Sequence, residues 1–213
     1  MVEQLRLRRG IADACVLAAL LEVERHRFVP ESLQERAYGP YSLPIGAGQR
    51  TPHPDTVAVM AEALKLRGTE RVLEIGTGCG YQTAILARLA REVCSLESLP
   101  QLAAAAADRL AALGVDNVRV QVRTDLRWPE PAQFDAIHVS AVAPEVPGIL
   151  FAQLAPGGRL VLAVGRSPHQ RLVLLVRRGE HVVSASLGVC RLEPLQGKSN
   201  VSHRPGQGQA ETL

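Results

Sequence analysis

Val72-Leu73-Glu74-Ile75-Gly76-Thr77-Gly78-Cys79-Gly80-Tyr81 is the stretch that decides the reading of this chain. An apolar run carrying one acid ends in a Gly-x-Gly-x-Gly turn, and a helical pattern follows over residues 82–90. A strand feeding such a turn brings backbone close to a ligand. Glycine is needed there because a Cβ would block the approach or resist a positive φ. The helix behind it points free N–H groups into the turn. Farther on, the apolar run 93–96 closes on Glu97, 21 positions after Gly76. That is near the spacing at which an acid meets ribose hydroxyls in a nucleotide-binding βαβ unit. The pattern implies an adenosine-containing cofactor.

The glycine spacing narrows the choice. Dinucleotide folds use G-x-G-x-x-G, whereas here Gly76, Gly78 and Gly80 alternate and Glu74 precedes them. No Lys-Ser/Thr pair follows, so a phosphate-cradling P-loop is excluded. An acid at the loop suits a ligand without a pyrophosphate, such as S-adenosylmethionine. The E-x-G-x-G-x-G pattern resembles the first motif of Rossmann-like methyltransferases. The competing reading is a glycine turn and a surface acid in some other α/β protein, and Glu97 at the next strand end weighs against it.

Composition sets the frame. A chain of 213 residues with 46% hydrophobic and 3% aromatic residues holds one domain with an aliphatic core. With 24 basic and 21 acidic residues, the charge is too balanced to argue for nucleic acid as a partner. Cys15, Cys79, Cys94 and Cys190 show no C-x-x-C spacing, and the six histidines do not cluster, so no metal site is expected. Reduced thiols suit a cytoplasmic protein. Arg6, Arg8 and Arg9 before the apolar run 11–23 superficially resemble a signal peptide. Asp13 interrupts that run, however, and Leu17, Leu20 and Leu21 fit an amphipathic helix. No run is long and apolar enough to span a membrane, and no membrane partner is expected.

From Arg71 the chain alternates strand and helix. Strands are expected at 71–75, 92–96, 118–122, 134–139 and 159–164, and helices at 82–90, 99–113 and 147–154. Such alternation implies an α/β fold, a mostly parallel Rossmann-like sheet with helices on both faces. Residues 172–176 and 182–187 read as a late antiparallel hairpin. Residues 1–54 form an N-terminal helical cover, 55–197 the core, and 198–213 a polar tail expected to be disordered.

Several segments converge on one family. Arg27-Phe28-Val29-Pro30-Glu31, Ala37-Tyr38, Leu43-Pro44-Ile45-Gly46 and Gly48-Gln49 precede the glycine loop. Trp128-Pro129-Glu130, Phe134-Asp135, Gln153-Leu154 and Gly157-Gly158-Arg159-Leu160 follow it. Over residues 10–197 the set resembles protein-L-isoaspartate O-methyltransferases, which transfer a methyl from S-adenosylmethionine to the α-carboxylate of isoaspartyl residues in damaged proteins. The ester closes to a succinimide that hydrolyses partly back to aspartate. The resemblance implies that Gly76, Thr77 and Gly78 pass the amino-acid end of the cofactor, with Glu74 and Gly80 in the same motif. It also implies Glu97 on the ribose, Thr124-Asp125 near the adenine, Gln49 to His53 over the methyl group and substrate, and Ala141 and Val142 lining the peptide site. The implied partners are isoaspartyl peptides and proteins, and a monomer is the favoured assembly.

Departures cluster on the substrate side. The family's Thr-Ile-Ser-Gln-Pro reads Arg50-Thr51-Pro52-His53-Pro54 here, so the hydroxyl expected at Pro52 is absent. Leu126-Arg127 leads straight to Trp128, where the family has a longer loop. Thr51 and His53 are the side chains left to orient the carboxylate. Thr51 is otherwise a capping residue and His53 polarity at a helix start. Arg50 is surface charge or a partner for a substrate carboxylate. His138 reads as a core histidine.

Overall fold

The computed structural model describes residues 1–179 and 181–196. The chain opens with α1 (Val2–Arg9), α2 (Ala14–Glu22), two 3-10 turns (Arg25–Phe28 and Glu31–Arg36), and a small antiparallel pair, β1 (Pro44–Gly46) and β2 (Gln49–Arg50). There follow α3 (Pro54–Ala63), β3 (Arg71–Ile75), α4 (Tyr81–Leu89), β4 (Glu92–Glu97), α5 (Pro100–Ala112) and β5 (Val118–Val122). The chain then runs through β6 (Phe134–Ala143), α6 (Gly148–Gln153), β7 (Leu154–Arg166), β8 (His169–Arg178) and β9 (His181–Val189).

Strands β3 to β9 form one seven-stranded sheet in the order β5-β4-β3-β6-β7-β8-β9. The pairings from β5 through β7 are parallel, and β8 and β9 add antiparallel. The chain steps outward from β3 to β4 to β5, then returns to the other side of β3 as β6. The strand order therefore reverses between β3 and β6, and a crevice opens at their C-terminal ends, where ligands of open α/β sheets bind.

Strand alternation divides the core. Val72, Val93, Ala136 and Val161 face one side, packed with buried residues of α1 to α4 such as Leu5, Leu20, Met60 and Ile85. Leu73, Ile75, Leu96, Ile137 and Leu160 face the other, beneath Leu150 of α6 and the Leu126 and Trp128 side chains. Both faces are apolar, which explains why the strands read as continuous hydrophobic runs.

The N-terminal cover is where the sequence reading needs refinement. Asp13, which interrupts the apolar run 11–23, caps the helix rather than breaking it. Its Oδ1 accepts from Cys15 N at 3.0 Å and Val16 N at 3.4 Å, satisfying donors that a helix start leaves open. Helix α1 was not expected, because it is polar and buries only Leu5. Strands β6 and β7 extend beyond their expected limits, to Ala143 and Arg166. The tail expected from 198 onward lies outside the described residues.

Candidate functional site

The loop after β3 is shaped by its three glycines. Gly76, Gly78 and Gly80 have φ of +90°, +56° and +87°, a region that side chains with a Cβ resist. A Cβ on Gly78 would also stand 3.3 Å from Ile45 Cδ1, and one on Gly76 would meet Ser140 Cβ at 3.4 Å. The loop thus stays close to the β1 segment on one side and to the end of β6 on the other.

A hydroxyl chain holds the loop from below. Glu74 is fully buried, and its Oε2 accepts from Ser95 Oγ and Thr83 Oγ1, each at 2.6 Å. Because Ser95 spends its proton on Glu74, it accepts from Thr77 Oγ1, 2.6 Å away. Burial pushes the Glu74 carboxyl up to about 7 against the pull of the Ser95 and Thr83 hydroxyls. His138, level with Glu74 on the neighbouring strand, is also buried, which lowers its ring to about 3. Glu74 Oε1 and His138 Nε2 find no partner among the described residues.

Above the loop lies an open cleft of about 810 Å³, counting the solvent at its mouth. Glu97 ends β4 inside it, with Oε2 accepting from Gly78 N at 2.8 Å and Oε1 from Leu99 N at 3.0 Å. The carboxylate is thereby held in place, with lone pairs left for ligand hydroxyls. Leu96, Leu99, Leu102 and Leu126 supply an apolar wall beside it. Asp125 stands at the rim, gripped by Arg123 at 3.1 and 2.7 Å, and this pairing holds its carboxyl below the ordinary value.

The opposite wall comes from Ile45, Gln49, Arg50, Thr51 and Pro52. Its anchor is Arg25, fully buried, whose Nη2 donates to Tyr41 O at 3.0 Å, Thr51 Oγ1 at 3.0 Å and Pro52 O at 3.2 Å. The guanidinium lies 5.3 Å from the Tyr81 ring centroid, close enough for a cation–π contact. Burial lowers its pKa, and no carboxylate among the described residues pairs with it. Thr51 Oγ1 also accepts from Leu43 N at 3.1 Å. Both lone pairs are occupied, so this hydroxyl has only its proton left to offer.

Of the residues singled out in the sequence, the cleft brings together Gln49, Thr51, Pro52, Gly76, Thr77, Gly78, Glu97, Asp125 and Ala141, together with Arg50. Five others lie off its wall. Glu74 supports the loop from beneath, Gly80 caps α4, and Thr124 is not among the lining residues. The His53 side chain caps α3, its Nδ1 accepting from Asp55 N at 3.2 Å. Val142 exchanges backbone hydrogen bonds with Glu193 O at 2.9 Å and Leu195 N at 2.8 Å. That exchange brings residues 193–196 into the cleft wall, where the sequence reading did not place them. Gln82, Ser140 and Arg123 were missed as well. Gln82 carried the clearest signal, being a polar residue in the first turn after the glycine loop.

Comparison with known proteins agrees with this geometry. The family described as Protein-L-isoaspartate(D-aspartate) O-methyltransferase matches residues 1–200. The chain belongs to this family. A Protein-L-isoaspartate O-methyltransferase 1 of Anaeromyxobacter sp. (strain Fw109-5) is 50% identical over 194 residues, covering 89% of this chain and 92% of the relative. A Picosynechococcus protein-L-isoaspartate O-methyltransferase is 47% identical over 200 residues, covering 93% and 90%. A Plasmodium falciparum structure of this type, in complex with S-adenosyl-L-homocysteine, superposes with a TM-score of 0.77 at 25% identity, covering 93% of this chain and 97% of that one. Another solved protein-L-isoaspartate O-methyltransferase has a TM-score of 0.78 at 26% identity, and this chain, 92% covered, spans 66% of it.

The methyltransferase family therefore fits the site, and its cofactor is S-adenosylmethionine. The cleft has features that suit such a ligand: glycines where a Cβ would intrude, an anchored carboxylate and an apolar wall. No helix among the described residues is long and apolar enough to cross a membrane, and no group of three potential metal-ligating side chains occurs among them.

Proposed function

We propose that this cleft methylates the α-carboxylate of L-isoaspartyl residues in damaged peptides and proteins, with the work divided between its two walls. The observation that carries the reading is the meeting of the glycine loop and Glu97 on one side with Gln49 to Pro52 on the other, at the switch point of the sheet.

Bound S-adenosylmethionine supplies a sulfonium methyl to the substrate carboxylate. The chain's own contribution is placement. The Gly76-Thr77-Gly78 backbone and Glu97 hold the cofactor side, and Asp125 reaches it from the rim. A peptide α-carboxylate has a pKa of roughly 3 to 4 and is ionised at neutral pH, so no residue need act as a base. Holding one oxygen in line with the methyl and shielding it from water is worth roughly 7–11 kcal/mol when the geometry is good. Thr51 suits that task, since its hydroxyl has only a proton to give. His53 is tied to the start of α3 and contributes by fixing the chain after Pro52. Loss of the family's serine at Pro52 removes one hydrogen bond to a charged acceptor, worth about 1.5–3 kcal/mol, which slows transfer roughly tenfold to a hundredfold without abolishing it. Four free cysteines suit the cytoplasmic setting in which such damage is repaired.

A second reading has its own support. Arg50 and Pro52 replace family residues on the substrate wall, which favours a relative that methylates a carboxylate of a dedicated partner. A matched isoaspartyl and aspartyl peptide pair, incubated with methyl-labelled cofactor at slightly acidic pH so that the ester survives, separates the two. Label on the isoaspartyl peptide alone supports repair. Equal labelling of both peptides refutes it. Label on neither, with cofactor binding intact by calorimetry, moves the assignment to the second reading.

A further inference from the structure

Three glutamine side chains are buried in the described structure, and two are fully paired. Gln153 accepts from Trp128 N at 2.8 Å and donates to Leu126 O at 2.8 Å. Gln170 accepts from Leu192 N at 2.7 Å and donates to Leu192 O at 3.1 Å. Each locks an irregular segment to the core. Gln82 differs. It is 4% exposed, yet neither Oε1 nor Nε2 has a partner among the described residues. It sits in the first turn of α4, a nine-residue helix, and lines the cleft beside Gly76, Thr77, Gly78 and Cys79.

A buried carboxamide with two orphaned atoms is costly unless something else completes it. Leucine would fill similar space at no such cost. The cleft wall it joins is the one that receives the cofactor, so the completing groups come from that ligand. S-adenosylmethionine carries a donor beside an acceptor at both ends, the ammonium and carboxylate of its amino-acid tail and the N6 and N1 of its adenine. Gln82 stands beside the Gly76-Thr77-Gly78 loop assigned above to the tail, whereas Asp125 marks the side assigned to the adenine. A carboxamide matches the two groups of the tail at once, with one donor and one acceptor. A substrate carboxylate would use Nε2 and leave Oε1 unpaired.

We propose that Gln82 holds the amino-acid end of the cofactor, Nε2–H donating to the carboxylate and Oε1 accepting from the ammonium. This rests on the cofactor reading of the cleft given above, and its test keeps the two separable. The probes are S-adenosylhomocysteine and 5′-methylthioadenosine, which lacks the amino-acid end, titrated calorimetrically into wild type, Gln82→Leu and Gln82→Glu. Wild type is expected to bind S-adenosylhomocysteine more tightly than methylthioadenosine. Gln82→Leu is expected to weaken S-adenosylhomocysteine at least tenfold while leaving methylthioadenosine within twofold. Its ligand-free melting temperature should equal or exceed that of wild type, because two orphaned atoms are gone. Gln82→Glu, nearly isosteric but repelling a carboxylate, should show the same selective loss and carries the test if the leucine variant does not fold. Equal weakening of both probes overturns the proposal in favour of a purely structural role. Unchanged affinity for both, with a raised KM for the isoaspartyl peptide, overturns it in favour of a substrate contact. Failure of wild type to bind S-adenosylhomocysteine overturns the cofactor reading itself.

Discussion

Replacing Glu74 by glutamine should change how stability depends on pH. Burial raises the folded-state pKa of this carboxyl from 4.5 to about 7, so the native protein keeps a proton that the unfolded chain releases near pH 4.5. Stability associated with Glu74 is therefore fully present below about pH 4.5 and is lost as pH rises toward 7. The gap of roughly 2.5 pH units corresponds to about 3 kcal/mol. His138 works in the opposite sense. Its folded pKa is depressed from 6.5 to about 3, so the unfolded chain takes up a proton that the native protein refuses, and stability is lost as pH falls below 6.5. Between about pH 4.5 and 6.5 the two slopes oppose and largely cancel. The glutamine of the variant still offers an oxygen to the Ser95 and Thr83 hydroxyls, and nothing at that position titrates. Relative to wild type, Glu74→Gln should thus gain about 1.4 kcal/mol per pH unit from 4.5 to 7 and run parallel to it above 7. Urea unfolding of both proteins at half-unit intervals of pH measures this difference. A difference that stays constant across the window would refute the argument that Glu74 is held protonated by burial.

Other expectations follow from the site. Gly78→Ala places a Cβ near Ile45 at a φ of +56° and should weaken S-adenosylhomocysteine at least tenfold by calorimetry, with the fold retained by circular dichroism. Glu97→Ala frees the Gly78 and Leu99 N–H groups and removes the acceptor proposed for the ribose, so binding of the same ligand should fall by roughly a hundredfold, about 3 kcal/mol. Thr51→Val deletes the hydroxyl of the cleft wall proposed to receive the substrate. It should lower kcat/KM for an isoaspartyl peptide at least tenfold in a steady-state assay, whereas Thr51→Ser should restore most of it. Asp13→Ala removes the cap of α2 and should cost about 1 kcal/mol in a urea melt without touching cofactor affinity.

The glycine-loop side of the cleft was readable because its signals are local. Three alternating glycines, the acid before them and Glu97 at the next strand end all lie within one βαβ unit, and their spacing carries the geometry. The opposite side is assembled by tertiary contact. Nothing near Val142 in the sequence announces that its backbone will pair with residues 193–195, or that these will form a cleft wall. Arg25 gave no signal either. A lone arginine among Glu24, His26 and Arg27 reads as surface charge, and only the fold turns it inward against Tyr41, Thr51 and Pro52. Asp13 was weighed as a break in an apolar run, although an acid before such a run is equally a cap. His53 faced the same ambiguity between capping and chemistry, and its hydrogen bond to Asp55 N is the capping one.

The reach of the cleft wall along the chain, from Ile45 to Gln196, ties ligand affinity to the history of the polypeptide. During synthesis the glycine loop and Glu97 leave the ribosome well before residues 193–196, so a nascent chain carries the cofactor floor without one of its walls. A chain cut by a protease between β9 and those residues would be left in the same condition. A closed cleft thereby requires a chain made through to residue 196.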